Sequence, residues 1–333
     1  MAAGRPTSII QNLSDGVVPA FAMLAGMQLD VFTPLKDGPL SATEIASALN
    51  VDESRLERLL YALVSAGLLT ADDGRFANSD EAAALLVKGE RNYRGGVHEL
   101  WSDIWASCLQ TAETIKKGEP QARHDFESMT DAELGAFLRG LHTGALVAGK
   151  AMANTFAPSG TLLDVGGGSG GLAIAACEAL PALDATVVEL AQVAPHTRRF
   201  ISAAGLDERI GVTDANMVGE SVGQTFDHAM LRHFLQTLSP DQARQAVLNV
   251  GESVATGGRI YIVGLMLEDS RLEPRAALNF DIVFLNVYDG GRAHTVGEQR
   301  EWLVAAGFSD VEVQPVPKGL GTPGNLMITA TKV

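Results

Sequence analysis

Apolar and polar positions change their period along the chain, and the change divides it. Ile9 to Leu35 contains VVPAFAMLAGMQLDVFTPL, which is apolar on too many faces for a solvated helix. It predicts a helix pair buried in a core or against a second subunit. Ser41 with Glu44 three residues on forms a capping box, Asn50 stops that helix, and Asp52 opens another with the stripe Leu56, Leu59, Leu60 and Leu63, ending at Gly67. Leu68 to Ala77 reads as a hairpin turning at Asp73-Gly74. Helix, turn, helix and hairpin together predict a winged helix within residues 1–90.

From Tyr93 to Phe156 the period stays helical, giving a segment 91–155 broken by a loop at Gly118, Glu119 and Pro120. His98, Trp101 and Trp105 share one helical face, and Arg139 and His142 lie three apart on a later helix. Beyond it, in 156–333, short apolar runs alternate with helical stretches: Leu162–Val165, Thr186–Val188, Ile210–Thr213, His228–Leu231 and Arg259–Val263, then a closing pair at Val311–Val313 and Leu326–Thr329. That alternation predicts a mostly parallel sheet with helices on both faces.

Composition narrows the partners. The 333 residues suffice for two domains, each with a core. A net charge of −15 argues against nucleic acid, whose phosphates need clustered Lys and Arg. The second helix of the winged helix sets Arg55 and Arg58 among Asp52, Glu53 and Glu57, so a DNA-binding regulator is disfavoured against a dimerisation scaffold. Cys108 and Cys177 make neither a disulfide framework nor a metal quartet. With no signal-peptide core and no run long enough to span a bilayer, the expectation is a cytoplasmic protein without membrane contact.

The chemistry concentrates at Thr161–Gly171, TLLDVGGGSGG, a strand running into glycines and then into a helix. Such a corner binds nucleotides at the carboxyl ends of a doubly wound sheet. Gly166, Gly168 and Gly171 nearly meet the dinucleotide fingerprint GxGxxG, so an NAD oxidoreductase must be weighed. Asp164, however, lies inside the strand, where a carboxylate needs a cationic or donor partner. The amino-acid end of S-adenosylmethionine (SAM) supplies an ammonium group. Glu189, ending the next strand, is placed for two ribose hydroxyls and suits either cofactor.

LLDVGGGSGGLAIA, VVEL, LRHFLQTLSPDQA, GGRIYIV and REWLVAAGF, in that order, resemble the plant-type and bacterial small-molecule O-methyltransferase family. The resemblance covers essentially the whole chain. It implies an α/β fold: a Rossmann-like SAM-dependent methyltransferase domain behind an N-terminal, mostly helical winged-helix domain that forms a homodimer. It also implies that Gly166 and Gly168 pass beneath the methionine moiety and that Glu189 takes the ribose. The adenine position reads Asn216-Met217, with Asp214 as a fallback, and Arg232 follows the fourth strand where the family has Lys or Arg.

The acceptor side departs from the family. The position of the family's histidine base is Gln236, the strand expected to end near a supporting carboxylate ends in Gly264, and a second acid is replaced by Ala293. A carboxamide cannot accept a proton at neutral pH. Either His233 or His294 serves as the base for O-methylation of a phenol or alcohol, or the nucleophile has no proton to lose. A thioether sulfur is such a nucleophile. The family contains a bacterial S-methyltransferase branch that converts 4-methylthio-2-hydroxybutyrate on the route to dimethylsulfoniopropionate, which this chain resembles in its missing base and acidic balance. On that reading Trp101, Trp105, Phe284 and Tyr288 stabilise a developing positive charge. Arg139, His142 and His294 clamp the acceptor's carboxylate.

Overall fold

The computed structural model describes residues 8–90, 92–126, 128–322 and 324–333. The chain forms two compact units, Met1–Ser102 and Asp103–Val333. The segment 91–155 therefore does not stand as a body of its own, since its residues divide between the two.

The first unit contains helices α1 (Ile9–Asp15) and α2 (Val17–Gln28), a short strand β1 (Leu40–Ser41), helices α3 (Ala42–Leu49) and α4 (Glu53–Ser65), the hairpin β2 (Leu69–Asp72) and β3 (Arg75–Asn78), and α5 (Asp80–Leu85). The predicted punctuation is present. Ser41 and Glu44 close a reciprocal capping box, Asn50 ends α3 in the left-handed region at φ 54, and the Asp52 side chain caps α4. The hairpin turns through Asp73 and Gly74, both with positive φ, which matches the twist of its strands. Leu56, Leu60 and Leu63 are buried, and Leu59 is half-buried at the edge of the stripe. Helix α1 buries nothing in its own chain: Ile9 and Ile10 are each 79% exposed and Leu13 71%. Of the two predicted covers for the N-terminal helices, a core of the same chain does not serve for α1. A contiguous apolar ridge of this kind marks an association surface.

Helix α6 (His98–Cys108) runs across the division, and α7 (Thr111–Lys117) and the long α8 (Asp131–Phe156) follow. The second unit is then built on a seven-stranded sheet. Its strands are β4 (Gly160–Val165), β5 (Leu183–Glu189), β6 (Ile210–Asp214), β7 (Phe226–Arg232), β8 (Val254–Val263), β9 (Phe308–Pro315) and β10 (Leu326–Lys332). Their spatial order is β6-β5-β4-β7-β8-β10-β9, with only β10 antiparallel to its neighbours. Helix α9 (Gly171–Ala179) follows β4, α10 (Ala194–Ala203) follows β5, α11 (Pro240–Glu252) joins β7 to β8, and α12 (Arg275–Val287) and α13 (Val296–Ala305) lie between β8 and β9. Leu162, Leu163 and Val165 on β4 are fully buried between two hydrophobic clusters, as a central parallel strand requires. The strand order reverses at β4, so its carboxyl end opens onto the crevice where such sheets bind ligands.

Helix α8 packs onto α9, the helix that follows the glycine bend. Gly149 permits the approach: a Cβ there would overlap the Leu172 carbonyl and stand 2.9 Å from Ala175 Cβ. Both partners are helix interior and cannot yield. Gly149→Ala is expected to lower stability by about 2 kcal/mol despite alanine's better helix propensity, read as a fall in calorimetric Tm. A second expectation concerns the ridge on α1. The native protein is expected to show twice the 35.1 kDa mass of one chain in light scattering, and Ile10→Asp combined with Leu13→Asp should reduce it to that of one chain.

Candidate active site

The bend after β4 takes positive φ at three glycines, Gly166 (63), Gly168 (59) and Gly170 (69). Two positions are also closed to a side chain by contact. A Cβ on Gly166 would stand 2.7 Å from the Phe234 ring, and one on Gly167 2.6 Å from Asp164 Oδ2. Three groups fasten the bend. The Gly168 amide donates to Glu189 Oε1 (2.6 Å), Thr197 Oγ1 donates to the Gly168 carbonyl (2.6 Å), and His142 Nδ1 lies 2.8 Å from Ser169 Oγ. Thr197 and Ser169 were not singled out in the sequence. Ser169 was in plain view among the glycines, but Thr197 had no local signal because its partner is 29 residues away.

Asp164 is 1% exposed, and its Oδ2 has no hydrogen-bond partner. Burial pushes its carboxyl up to about 7; the Arg232 guanidinium and the Ala173 amide oppose this, and the Glu189 carboxylate adds to it. Arg232 is itself half-buried, donating from Nε to the Leu320 carbonyl at 2.9 Å. An orphaned carboxylate oxygen beside a bend without side chains is suited to a ligand ammonium group. Burial also raises the Glu189 carboxyl, against the amides of Gly168 and Leu190 that it accepts. A carboxylate has about four lone-pair directions, so Glu189 retains capacity for ribose hydroxyls. These residues fit SAM.

On the adenine side the predicted set separates. Asp214 sits in register with Glu189 but is exposed and paired to Arg198 at 2.5 Å. Asn216 is exposed, its Oδ1 accepting from the Val218 amide. Met217 is 3% exposed and packs in the core with Leu163 and Val188. A core role therefore accounts for Met217 as it stands, because its neighbours in the cluster are apolar side chains.

The acceptor side holds its histidines in unexpected ways. His233 lies just past β7, with φ 56 and its amide donating to the Val263 carbonyl. It is close to Gln236, Nδ1 to Oε1 at 3.4 Å. Burial and the neighbouring Arg232 charge push His233 down to about 3, and the contact with Gln236 opposes them only weakly. Gln236 Oε1 accepts from the Leu265 amide (2.9 Å), beside the bare backbone of Gly264. His294 is 1% exposed; its Nε2 faces the carbonyls of Leu235 and Leu238 at 3.0 and 3.1 Å, so that nitrogen carries the proton. Burial holds His294 below the ordinary histidine range. Where the sequence offers Ala293 in place of an acid, Asp281 Oδ1 accepts the Ala293 amide from α12 at 2.6 Å. A carboxylate thus returns to that locality from another element.

Of the remaining candidates, His142 stacks on Phe200 at 4.5 Å, and burial lowers its pKa. Its contacts make it a support for the glycine bend rather than a clamp on the acceptor. Arg139 is exposed on the same helix. Phe284 is buried with Leu265 and Ala293, and Tyr288 packs beside it, its hydroxyl pushed upward by burial. Trp101 belongs to the first unit and Trp105 to the second, each half-buried. The described residues contain no cluster of metal-ligating side chains, and both cysteines are free.

An ammonium ligand favours the ionised form of Asp164, so binding near neutral pH expels its proton. With the carboxyl at about 7, affinity for S-adenosylhomocysteine is expected to be about tenfold weaker at pH 6 than at pH 8. Calorimetry in buffers of different ionisation heat should detect the released proton. Asp164→Asn should weaken binding at pH 8 and abolish the pH dependence; a native profile that is flat from 6 to 8 contradicts this role.

Comparison with known proteins places the chain. The pattern of the O-methyltransferase domain matches residues 122–309, and that of the O-methyltransferase dimerisation domain matches residues 11–88. The chain is 29% identical over 315 residues to the 3-hydroxy-5-methyl-1-naphthoate 3-O-methyltransferase of Streptomyces sahachiroi, covering 91% of this chain and 90% of the relative. It is 25% identical over 324 residues to the L-tyrosine C(3)-methyltransferase of Streptomyces lavendulae, covering 92% and 88%. Among solved structures, human N-acetylserotonin methyltransferase in complex with SAM superposes with a TM-score of 0.82 at 20% identity, over 99% of both chains. The dimerisation pattern supports a homodimer and begins within α1, taking in Leu13 of its exposed ridge. The chain belongs to the O-methyltransferase family, is a methyltransferase, and takes its methyl group from S-adenosyl-L-methionine.

Proposed function

We propose that this methyltransferase acts on a small acceptor whose nucleophile has no proton to lose, a thioether sulfur in a small acid such as 4-methylthio-2-hydroxybutyrate. SAM supplies an electrophilic methyl group. A carbon–sulfur bond forms at the acceptor as the donor's breaks, the acceptor becomes a sulfonium, and no proton changes hands. Holding the two sulfurs and the methyl in line is then the main task of the protein.

The observation that carries this reading is Gln236. At the family's base position stands a carboxamide, and its oxygen is occupied by the Leu265 amide. The neighbouring histidines do not offer a strong substitute. His233, at about 3, is a weak proton acceptor, and His294, which donates from Nε2 to backbone carbonyls and keeps an unpaired Nδ1, is held below the ordinary histidine range by burial.

A second reading, O-methylation of a phenol or alcohol with His233 or His294 as base, draws support from the relatives, of which one is named for transfer to a hydroxynaphthoate oxygen. The relative named for C-methylation of tyrosine shows that the acceptor atom varies among these proteins.

A screen with isotope-labelled donor separates the readings. Product from 4-methylthio-2-hydroxybutyrate and none from hydroxynaphthoates supports S-methylation; the reverse outcome sinks it. At saturating donor, kcat is expected to show no ascending limb between pH 6 and 9. A limb that disappears in His233→Ala points to O-methylation. Gln236→Ala should cost stability of about 1 kcal/mol through the Leu265 amide while leaving kcat within a few fold.

A further inference from the structure

We propose that His124, held by Asp103 inside a group of aromatic rings, is the hydrogen-bond acceptor for a hydroxyl group on the methyl acceptor. The inference deepens the proposed function and rests on it for the identity of the acceptor.

His124 Nε2 lies 2.6 Å from Asp103 Oδ2; the His124 side chain is 6% exposed and that of Asp103 is 51%. A solvent-facing carboxylate accepts and does not donate, so Nε2 carries the ring proton and Nδ1 presents a lone pair. That Nδ1 is buried and has no partner. A buried lone pair left unmatched is costly, and an arriving O–H would satisfy it. The ring is fixed in place. The His124 amide donates to the Val287 carbonyl at 2.9 Å, the Ala122 amide to that of Asn286 at 3.2 Å, and Arg123 pairs with Asp289.

The surroundings suit an apolar body that carries a hydroxyl. Phe126, Phe137 and Tyr288 meet the imidazole edge-on, with centroids 6.4, 5.7 and 5.9 Å away. These rings reach both halves of the site. Phe126 and Phe137 pack with Leu138 and Leu190, which adjoin the glycine bend and Glu189. Tyr288 packs on Phe284 and so joins the cluster of Leu265, whose amide holds Gln236. His124 therefore stands in the wall linking the donor cradle to the vacated base position. In a thioether hydroxy acid, the group it would hold is the 2-hydroxyl, which orients the acceptor without giving up its proton.

The test uses two ligand pairs differing by one hydroxyl, 4-methylthio-2-hydroxybutyrate with 4-methylthiobutyrate, and 3-hydroxy-2-naphthoate with 2-naphthoate. Each is titrated by calorimetry into the full chain saturated with S-adenosylhomocysteine. In the pair that binds, the hydroxylated member is expected to bind about tenfold tighter, the scale of one hydrogen bond to a buried group. His124→Phe keeps a ring in the cluster and should erase the preference, with Tm and S-adenosylhomocysteine affinity unchanged. If His124→Phe does not fold, Asp103→Asn, at an exposed side chain, is expected to reduce the same preference. Equal binding of the two members by the native protein, or a preference that survives the substitution, overturns the role of His124 alone. Binding of the naphthoate pair only, with its hydroxyl preferred, upholds His124 and overturns the thioether acid. Failure of both pairs to bind overturns both.

Discussion

An ionisable carboxyl group buried at the carboxyl end of β4 is the constraint around which the second unit is arranged. Asp164 is 1% exposed and one of its oxygens has no partner in the protein. Burial alone would neutralise it, and Arg232 on the neighbouring strand restrains that tendency without satisfying the empty oxygen. A group with these properties destabilises the fold unless a cation completes it. It is therefore a feature of binding rather than of folding. The glycines that follow exist for the same reason: a Cβ at Gly167 would fall on that oxygen.

The bend itself is stiff. Glu189 from β5, Thr197 from α10 and the pair His142–Ser169 hold it from separate elements. Helix α8 thus serves the donor side through His142 and approaches α9 at Gly149, while Phe137 on the same helix belongs to the aromatic wall. One long helix thus ties the glycine bend to the aromatic rings around His124 by packing.

The acceptor side follows a different logic. Its polar groups are largely matched to the backbone: Gln236 to Leu265, His294 to Leu235 and Leu238, Asp281 to Ala293. A site meant to abstract a proton needs a basic lone pair facing its substrate, and these partners leave few. His294 and His124 each keep an unmatched Nδ1, and His124 came from a stretch, QARHDFES, in which no local pattern drew attention to it. Its partner Asp103 and its ring neighbours Phe137 and Tyr288 are spread along the chain, so only the fold assembles them.

The sequence by itself determined the strands, the glycine bend, the caps at Ser41 and Asp52, and the two acids Asp164 and Glu189. Each of these rests on local physics: period, turn chemistry and the cost of a charge in an apolar run. The tertiary structure decided which polar groups stay unmatched, because that depends on partners tens of residues away. It buried Met217 in the core, paired Asp214 with Arg198, turned His142 toward Ser169, and left His233 too weak a base for its place in the chain to suggest. Spacing can bring a side chain near a site, but its charge state and direction follow from desolvation and long-range contacts that the linear pattern does not contain.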